Sequence, residues 1–374
     1  MTLAQADWRH VTGFLDSAVA AGAAPGAVLG VTLAGNRFVY ATGVMGQNET
    51  TPPGPTTSYD LASLTKVVGL ATAAMLAVDD ARFELDSPVQ RYVPEFAGAG
   101  KERVTIRMLL AHTSGLPGWR PLFREATTRA EAFALADSTP LDSAPGTAVV
   151  YSDLGAVVLT QVIEAVYHER IDSLLDRRVY QPLGMTSIRF LPPSSERERI
   201  APTEFDTRRG RVLRGEVHDE NAAIMDGVSG HAGLFGSVTD LLTFAEWMIA
   251  LADGRTGGPA DRWYGTQVGA SDRPSVRPPV VREFTRRQDL VPGSSRALGW
   301  DTPAPGGSAG SLLSPRSFGH TGYSGTSLWI DPDHQLAIVL LSNRVNPTRE
   351  NPRWAPVRAQ LADLVMATLF EDAR

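Results

Sequence analysis

Ser63 and Lys66 stand three residues apart in an apolar stretch where Lys66 is the sole charged residue between Asp60 and Asp79. The chain has two lysines against thirty-three arginines, so wherever a positive charge alone would serve, arginine has been used. A retained lysine then has work that arginine cannot do. Arginine stays protonated at any accessible pH, whereas a partly desolvated lysine can lose its proton and act as a base. On a helix, residues i and i+3 share one face, which brings the amine within reach of the Ser63 hydroxyl. Such a pair is an activated nucleophile suited to acyl transfer. The plain alternative is a lysine that snorkels to solvent beside a serine placed there by chance.

Two further groups bear on the choice. Tyr151-Ser152-Asp153 precedes the apolar run at 154 to 166, so a phenol can project from a loop that leads into a helix. Here the plain reading is a partly buried aromatic and an aspartate N-cap. Gly319-His320-Thr321-Gly322 ends a strand, with Gly325 just beyond, and glycines there let a substrate backbone lie close to the strand. His112, after Leu109-Leu110-Ala111, is expected to brace a helix end rather than to do chemistry. His218, Asp219, Glu220 and His231 have the donor types of a zinc site, but no His-Glu-x-x-His spacing occurs. Loop-fixing hydrogen bonds or a wall of the cleft are expected there instead, with no metal and no cofactor.

Taken in order and spacing, Ser63-Leu64-Thr65-Lys66, Tyr151-Ser152-Asp153 and His320-Thr321-Gly322 resemble the three signature elements of the penicillin-recognising serine hydrolases. The likeness is to the branch of class C beta-lactamases, DD-peptidases and family VIII esterases. It extends over Leu109 to Leu116, Pro182-Leu183-Gly184-Met185 and Gly233-Leu234-Phe235. The resemblance implies Ser63 as nucleophile with Lys66 and Tyr151 as proton carriers. It also implies an oxyanion hole from the N–H groups of Ser63 and Tyr323, and substrate contacts from Asp153, His320, Thr321 and Gly322. His320 is expected to anchor a carboxylate or hydroxyl and, when protonated, to keep the site positive. Two residues depart from the lactamase pattern: Asp153 replaces an Asn common in relatives, and His320 replaces a Lys. Lactamase activity is accordingly a lesser expectation, and an acidic Asp153 repels an anionic substrate unless it is paired. His218 to Ala222, Gly230 to Gly233 and Leu341 to Arg349 resemble the subgroup that contains N-acetylmuramoyl-L-alanine amidases of cell-wall turnover, although motif likeness at this level does not fix a substrate. A carboxylesterase or muropeptide amidase is expected, with a DD-carboxypeptidase, D-aminopeptidase, weak class C lactamase or non-catalytic cell-wall peptide binder as alternatives.

The elements that must hold these groups follow from pattern. A helix over 4 to 22 and a hairpin turning at Ala34-Gly35-Asn36 open the chain. Strands near 317 to 321, 326 to 331 and 335 to 341, then a helix over 354 to 371, close it. Between them the periodicity is mainly helical, near 105 to 111, 127 to 136, 153 to 168, 172 to 179 and 239 to 252. The Gly-, Pro-, Ser- and Arg-rich stretch 253 to 315 reads as long surface loops anchored by Phe284 and Trp300. The expected fold is α/β (α+β): an antiparallel sheet flanked by the terminal helices, with an inserted, mainly helical lobe, as in beta-lactamases and transpeptidases. The discontinuous sheet lobe spans 1–60 and 300–374, the helical lobe 61–299, and the site lies between them.

At 374 residues, with 43% hydrophobic and 20% charged residues, the composition is that of a globular protein. A net charge of -6 argues against a nucleic-acid partner. A small-molecule or peptide, including muropeptide, substrate is expected. The absence of cysteine removes disulfides and thiolate chemistry. The opening residues lack a basic stretch followed by an apolar core, and no apolar run is expected to reach membrane length. A cytoplasmic location is therefore the expectation, or a periplasmic one if the native start lies elsewhere.

Overall fold

The computed structural model describes residues 2–254 and 276–370. Five antiparallel strands form the main sheet in the order Asn36–Gly43, Gly26–Leu33, Leu336–Ser342, Ser327–Asp331, Phe318–Thr321. The first hairpin turns on Ala34 and Gly35, both at positive φ, which matches the right-handed twist of its strands. Strands from the two ends of the chain pair at the centre, with Leu29 opposite Leu340 and Val31 opposite Ile338.

Alternation along Gly26–Leu33 separates two cores. Leu29, Val31, Ile338 and Leu340 face the terminal helices Arg9–Ala20 and Ala355–Leu369, where Trp354 is fully buried. Val28, Val339 and Leu341 face the larger core. There the helix Val238–Ala252 packs against the sheet. Its approach explains Gly30, since a Cβ at that position would sit 2.4 Å from the Val238 side chain. The helix is locked by Glu246, which accepts from Thr32 Oγ1 at 2.6 Å and pairs with Arg37 at 2.5 Å.

Behind the site runs the segment that carries Ser63. A short 3-10 turn, Ala62–Leu64, passes into a wide π-type turn, Lys66–Ala71, and then into the α-helix Thr72–Asp79. Ala62–Asp79 is apolar and long enough to cross a membrane by length and composition, correcting the expectation that no run reaches that length. With 78% of it buried in the protein interior, it is the core helix of the fold. A helix at Pro278–Thr285 breaks the expected loop region, with Val281 and Phe284 buried; its two prolines open the first turn, where a missing N–H costs nothing. Phe284 and Trp300 are both fully buried. The part of that region at 255–275 lies outside the described residues.

Candidate active site

Two staples hold the Ser63 turn. On one side Leu61 N–H donates to Leu234 O at 2.9 Å and Leu234 N–H to Thr65 Oγ1 at 3.2 Å. These tie the turn to the three-stranded sheet of Tyr59–Asp60, Leu234–Gly236 and Arg189–Phe190. On the other side the tight turn after Phe318–Thr321 grips the carbonyls just before Ser63. Ser324 Oγ donates to Asp60 O at 2.6 Å and Thr326 Oγ1 to Leu61 O at 3.0 Å. Gly322 makes this approach feasible, because a Cβ there would lie 2.1 Å from Thr326 Oγ1 and 2.5 Å from Leu61 O. The Asp60 carboxylate accepts from Ala62 N–H at 2.8 Å and His218 N–H at 2.7 Å. Among the described residues, the N–H groups of Ser63 and Tyr323 have no acceptor within the protein, as an oxyanion site requires.

Lys66 is buried and meets three oxygens: Asp153 Oδ1 at 2.6 Å, Ser63 Oγ at 3.1 Å and His231 O at 3.1 Å. Burial alone would push the amine's pKa down. The carboxylate of Asp153, helped by Tyr151, outweighs burial and holds it above the ordinary lysine value. This corrects the idea that Lys66 is retained because it readily gives up its proton: at rest it is an ammonium that donates toward Ser63.

The second group is arranged by capping. Ser152, not Asp153, is the N-cap of the helix Asp153–Tyr167, accepting from Gly155 N–H at 3.0 Å and donating to Pro117 O at 2.6 Å. The Asp153 carboxylate is thereby free for Lys66. His112 sits in the left-handed region at φ 57 and fixes the strip before the helix twice. Its carbonyl accepts from Val150 N–H at 2.9 Å and its Nδ1 from Ser152 N–H at 3.1 Å. The imidazole is therefore the neutral form protonated on Nε2, consistent with burial first and nearby cations second pushing its pKa well down. The Tyr151 ring lies between His112, at 4.7 Å, and His320, at 5.8 Å, measured between centroids. Its phenolic oxygen is buried without a well-aligned hydrogen-bond partner.

His320 donates from Nδ1 to Thr321 O at 2.8 Å and is held neutral, chiefly by burial and then by Arg296 and Lys66. The expected positive contribution from a protonated His320 is thus corrected: the positive field has another source. Arg296, Arg344 and Arg358 line a cavity of about 320 Å³ together with Ser63, Tyr151 and His320. Among the described residues none of the three arginines has a carboxylate within ion-pair distance. Arg358 gives one N–H to Gly322 O at 2.6 Å and keeps Nε buried without an acceptor. Burial, and then Arg344, pull its pKa down to about 10. A second cavity of about 350 Å³ opens on the other side of Ser63, with Asp153, Asp219, Glu220 and the exposed rings of Trp119 and Tyr323 in its wall.

The His218 to Asn221 segment ties neighbouring loops together. His218 Nε2 meets Glu204 at 2.8 Å, and Glu220 meets Arg349 at 2.8 Å. Asn221 bridges Phe123 N–H and Arg120 O. Asp219 caps Glu220–Ile224 and holds His231 Nε2 at 2.8 Å. Burial works against its charge, but His231 keeps its carboxyl well below the usual range. Sequence reasoning named His231 only as a donor type or cleft wall and missed the backbone carbonyl it offers Lys66, and it missed the arginine trio. No local signal marks either, since 48 and 62 residues separate Arg344 and Arg358 from Arg296.

The beta-lactamase family model matches residues 11–363. The chain belongs to the beta-lactamase family. Within the penicillin-recognising serine hydrolases, it is 31% identical over 346 residues to a candidate D-alanyl-D-alanine carboxypeptidase of Escherichia coli (strain K12), spanning 83% of this chain and 75% of that protein. Among solved structures it is similar to EstCE1, a hydrolase with promiscuous acyltransferase activity, at a TM-score of 0.74 and 22% identity over 96% and 98% of the two chains. It is also similar to a beta-lactamase/D-alanine carboxypeptidase from Pseudomonas syringae, at 0.72 and 17% over 97% and 98%. The two structural likenesses establish the fold, and the family membership makes this a hydrolase.

Proposed function

We propose that this hydrolase works through an acyl-enzyme on Ser63, and that its substrate is an amide or ester of the muropeptide class. One observation carries the reading. Lys66 donates toward Ser63 Oγ, while the N–H groups of Ser63 and Tyr323, without a protein acceptor among the described residues, and the Tyr151 phenol, without a well-aligned partner, belong to residues lining the same cavities. In the proposed reaction, Ser63 Oγ bonds to the substrate carbonyl carbon and the oxyanion settles on the N–H groups of Ser63 and Tyr323. The serine proton passes to the leaving nitrogen or oxygen as that bond breaks, and water later releases the acyl group by the reverse route.

The unpaired arginines beside His320 favour a leaving group that bears a carboxylate, as a peptide stem does. The same observation, with the named carboxypeptidase relative, supports a second reading in which D-alanine is the leaving group. A simple carboxylesterase needs no such cations, so the geometry supports it less. A purified-enzyme panel separates these outcomes: muramoyl peptides, D-alanyl peptides, p-nitrophenyl esters and nitrocefin, each with intact-mass detection of the Ser63 adduct. Muramoyl peptides are expected to give the highest kcat/KM. An unmodified Ser63 under every acylating substrate sinks the acyl-enzyme reading.

A further inference from the structure

Lys66 and Asp153 form an ion pair whose consequence reaches the proton path. The Lys66 ammonium lies 2.6 Å from Asp153 Oδ1 and 3.1 Å from both Ser63 Oγ and His231 O, with the Tyr151 hydroxyl also acting on its charge. An amine so engaged is a donor to Ser63 and has no lone pair with which to accept its proton. The groups packed around Lys66 come from every side. Asp153 and Tyr151 lie on the strip entering one helix, and Asp219 lies on the 218–221 segment behind His231. The neutral rings of His112 and His320, with Arg296 beyond, make up the remaining wall. Of these only Asp153 places a carboxylate directly on the ammonium, at 2.6 Å. Tyr151 Oη is buried without a well-aligned hydrogen-bond partner, stands close enough to Lys66 to raise its pKa, and belongs to a residue lining both cavities that meet at Ser63.

Resting on the acyl-enzyme reading above, we propose that Asp153 is a positioning residue that locks Lys66 as a permanent ammonium and so assigns the proton relay to Tyr151 alone. The step balances. As Ser63 Oγ bonds to the carbonyl carbon, the Oγ–H proton goes to Tyr151 Oη. The phenol's own proton goes to the leaving nitrogen or oxygen, which departs with the electron pair of the broken bond. Tyr151 ends as it began, and Lys66 keeps its three protons throughout, stabilising the developing alkoxide by charge. With an amide at position 153 the attraction is removed while the shape is kept, and burial is left to drive Lys66 toward the free amine. The base role would then become open to Lys66.

The two-lysine composition makes the charge directly readable. In full-length protein carrying isotope-labelled lysine, only Lys66 and Lys101 give side-chain signals, and Lys66→Gln assigns them. The wild-type Lys66 signal is expected to stay that of an ammonium from about pH 6 to about pH 10. In Asp153→Asn it is expected to titrate with a midpoint at least about two units lower than in wild type. A kinetic cycle provides the second readout. Tyr151→Phe is expected to slow acylation about 100-fold or more in wild type but less than about 10-fold in the Asp153→Asn background, where the amine substitutes for the phenol. A neutral Lys66 in wild type, an unmoved titration in Asp153→Asn, or an equal cost of Tyr151→Phe in both backgrounds overturns the proposal. The acyl-enzyme reading fails separately, if a fluorophosphonate leaves wild-type Ser63 unmodified, and the lysine titration reports the ion pair in either case.

Discussion

Lys66 shows how much a single side chain depends on its neighbours. Its compact ammonium donates to Ser63 Oγ and His231 O while lying 2.6 Å from Asp153, a cluster that a planar guanidinium cannot reproduce even though charge is kept. Lys66→Arg and Ser63→Ala are each expected to lower hydrolysis by about 100-fold or more, with Ser63→Ala also losing the mass adduct, while circular dichroism stays native. The other lysine leads to a stability prediction. Lys101 is buried and donates to the carbonyl of Asp137. The Asp137 carboxyl is held on one oxygen by Gln161 at 2.8 Å and has its other oxygen buried without a partner. Burial raises its pKa to about 7 despite Lys101. An acid whose folded-state pKa lies above its unfolded value of about 4 favours the fold when protonated. That contribution is complete below about pH 4 and is lost as pH rises through about 7, at no more than about 1.4 kcal/mol per unit. Thermal melts across that window should therefore show Asp137→Asn gaining on wild type as pH rises. Parallel curves would count against it.

At the scale of elements, the site exists because short segments are stapled, not because long ones are strong. Gly322→Ala would push a methyl into Leu61 O and Thr326 Oγ1, prising the strand edge from the Ser63 turn. Activity is expected to fall at least about 100-fold, in line with the cost of misplacing reacting groups, with a measurable loss in Tm. His112 offers a finer test. Asparagine tolerates the left-handed backbone and offers an acceptor near the position of Nδ1, so His112→Asn should retain most of kcat. His112→Phe keeps a ring but loses the bond to Ser152 N–H, and should lower kcat about 10-fold or more with KM little changed.

Much of this architecture was readable from pattern. Alternation and turn residues gave the terminal strands, 3.6-residue spacing gave the helices at 153–167 and 238–252, and three motifs pointed to Ser63, Lys66 and Tyr151. Contacts decided by convergence were not readable. Nothing local links Asp153 to Lys66, or makes Ser152 the cap in preference to the aspartate beside it. The helix Pro278–Thr285 was hidden because its surroundings are rich in Gly, Pro and Arg. The charge of His320 is not legible locally, because its burial and then the cations Arg296 and Lys66, which hold it neutral, are set by other segments.

For the molecule as a whole, the cleft is electrically two-sided. Arg296, Arg344 and Arg358, with no carboxylate at ion-pair distance among the described residues, line one end together with Asp301, while Asp153, Asp219 and Glu220, paired with Lys66, His231 and Arg349, line the other. A substrate with an anionic leaving group is expected to be drawn to the arginine end, an effect that should weaken as ionic strength rises. Arg296 is the cleanest handle, because its guanidinium contacts the Tyr151 ring at 5.2 Å and makes no side-chain hydrogen bond among the described residues. Arg296→Met should raise KM for a carboxylate-bearing substrate about 10-fold and leave that for a neutral p-nitrophenyl ester nearly unchanged. Equal effects on both substrates would remove the arginine from recognition.

The pairing of Gly26–Leu33 with Leu336–Ser342 also governs when a newly made chain can work. The strand edge beside Ser63 hangs on partners at 318–342, which are made long after the serine and its ammonium. Closing so distant a contact is slow. A copy that has not yet added those strands carries the nucleophile but lacks the rim that completes the site.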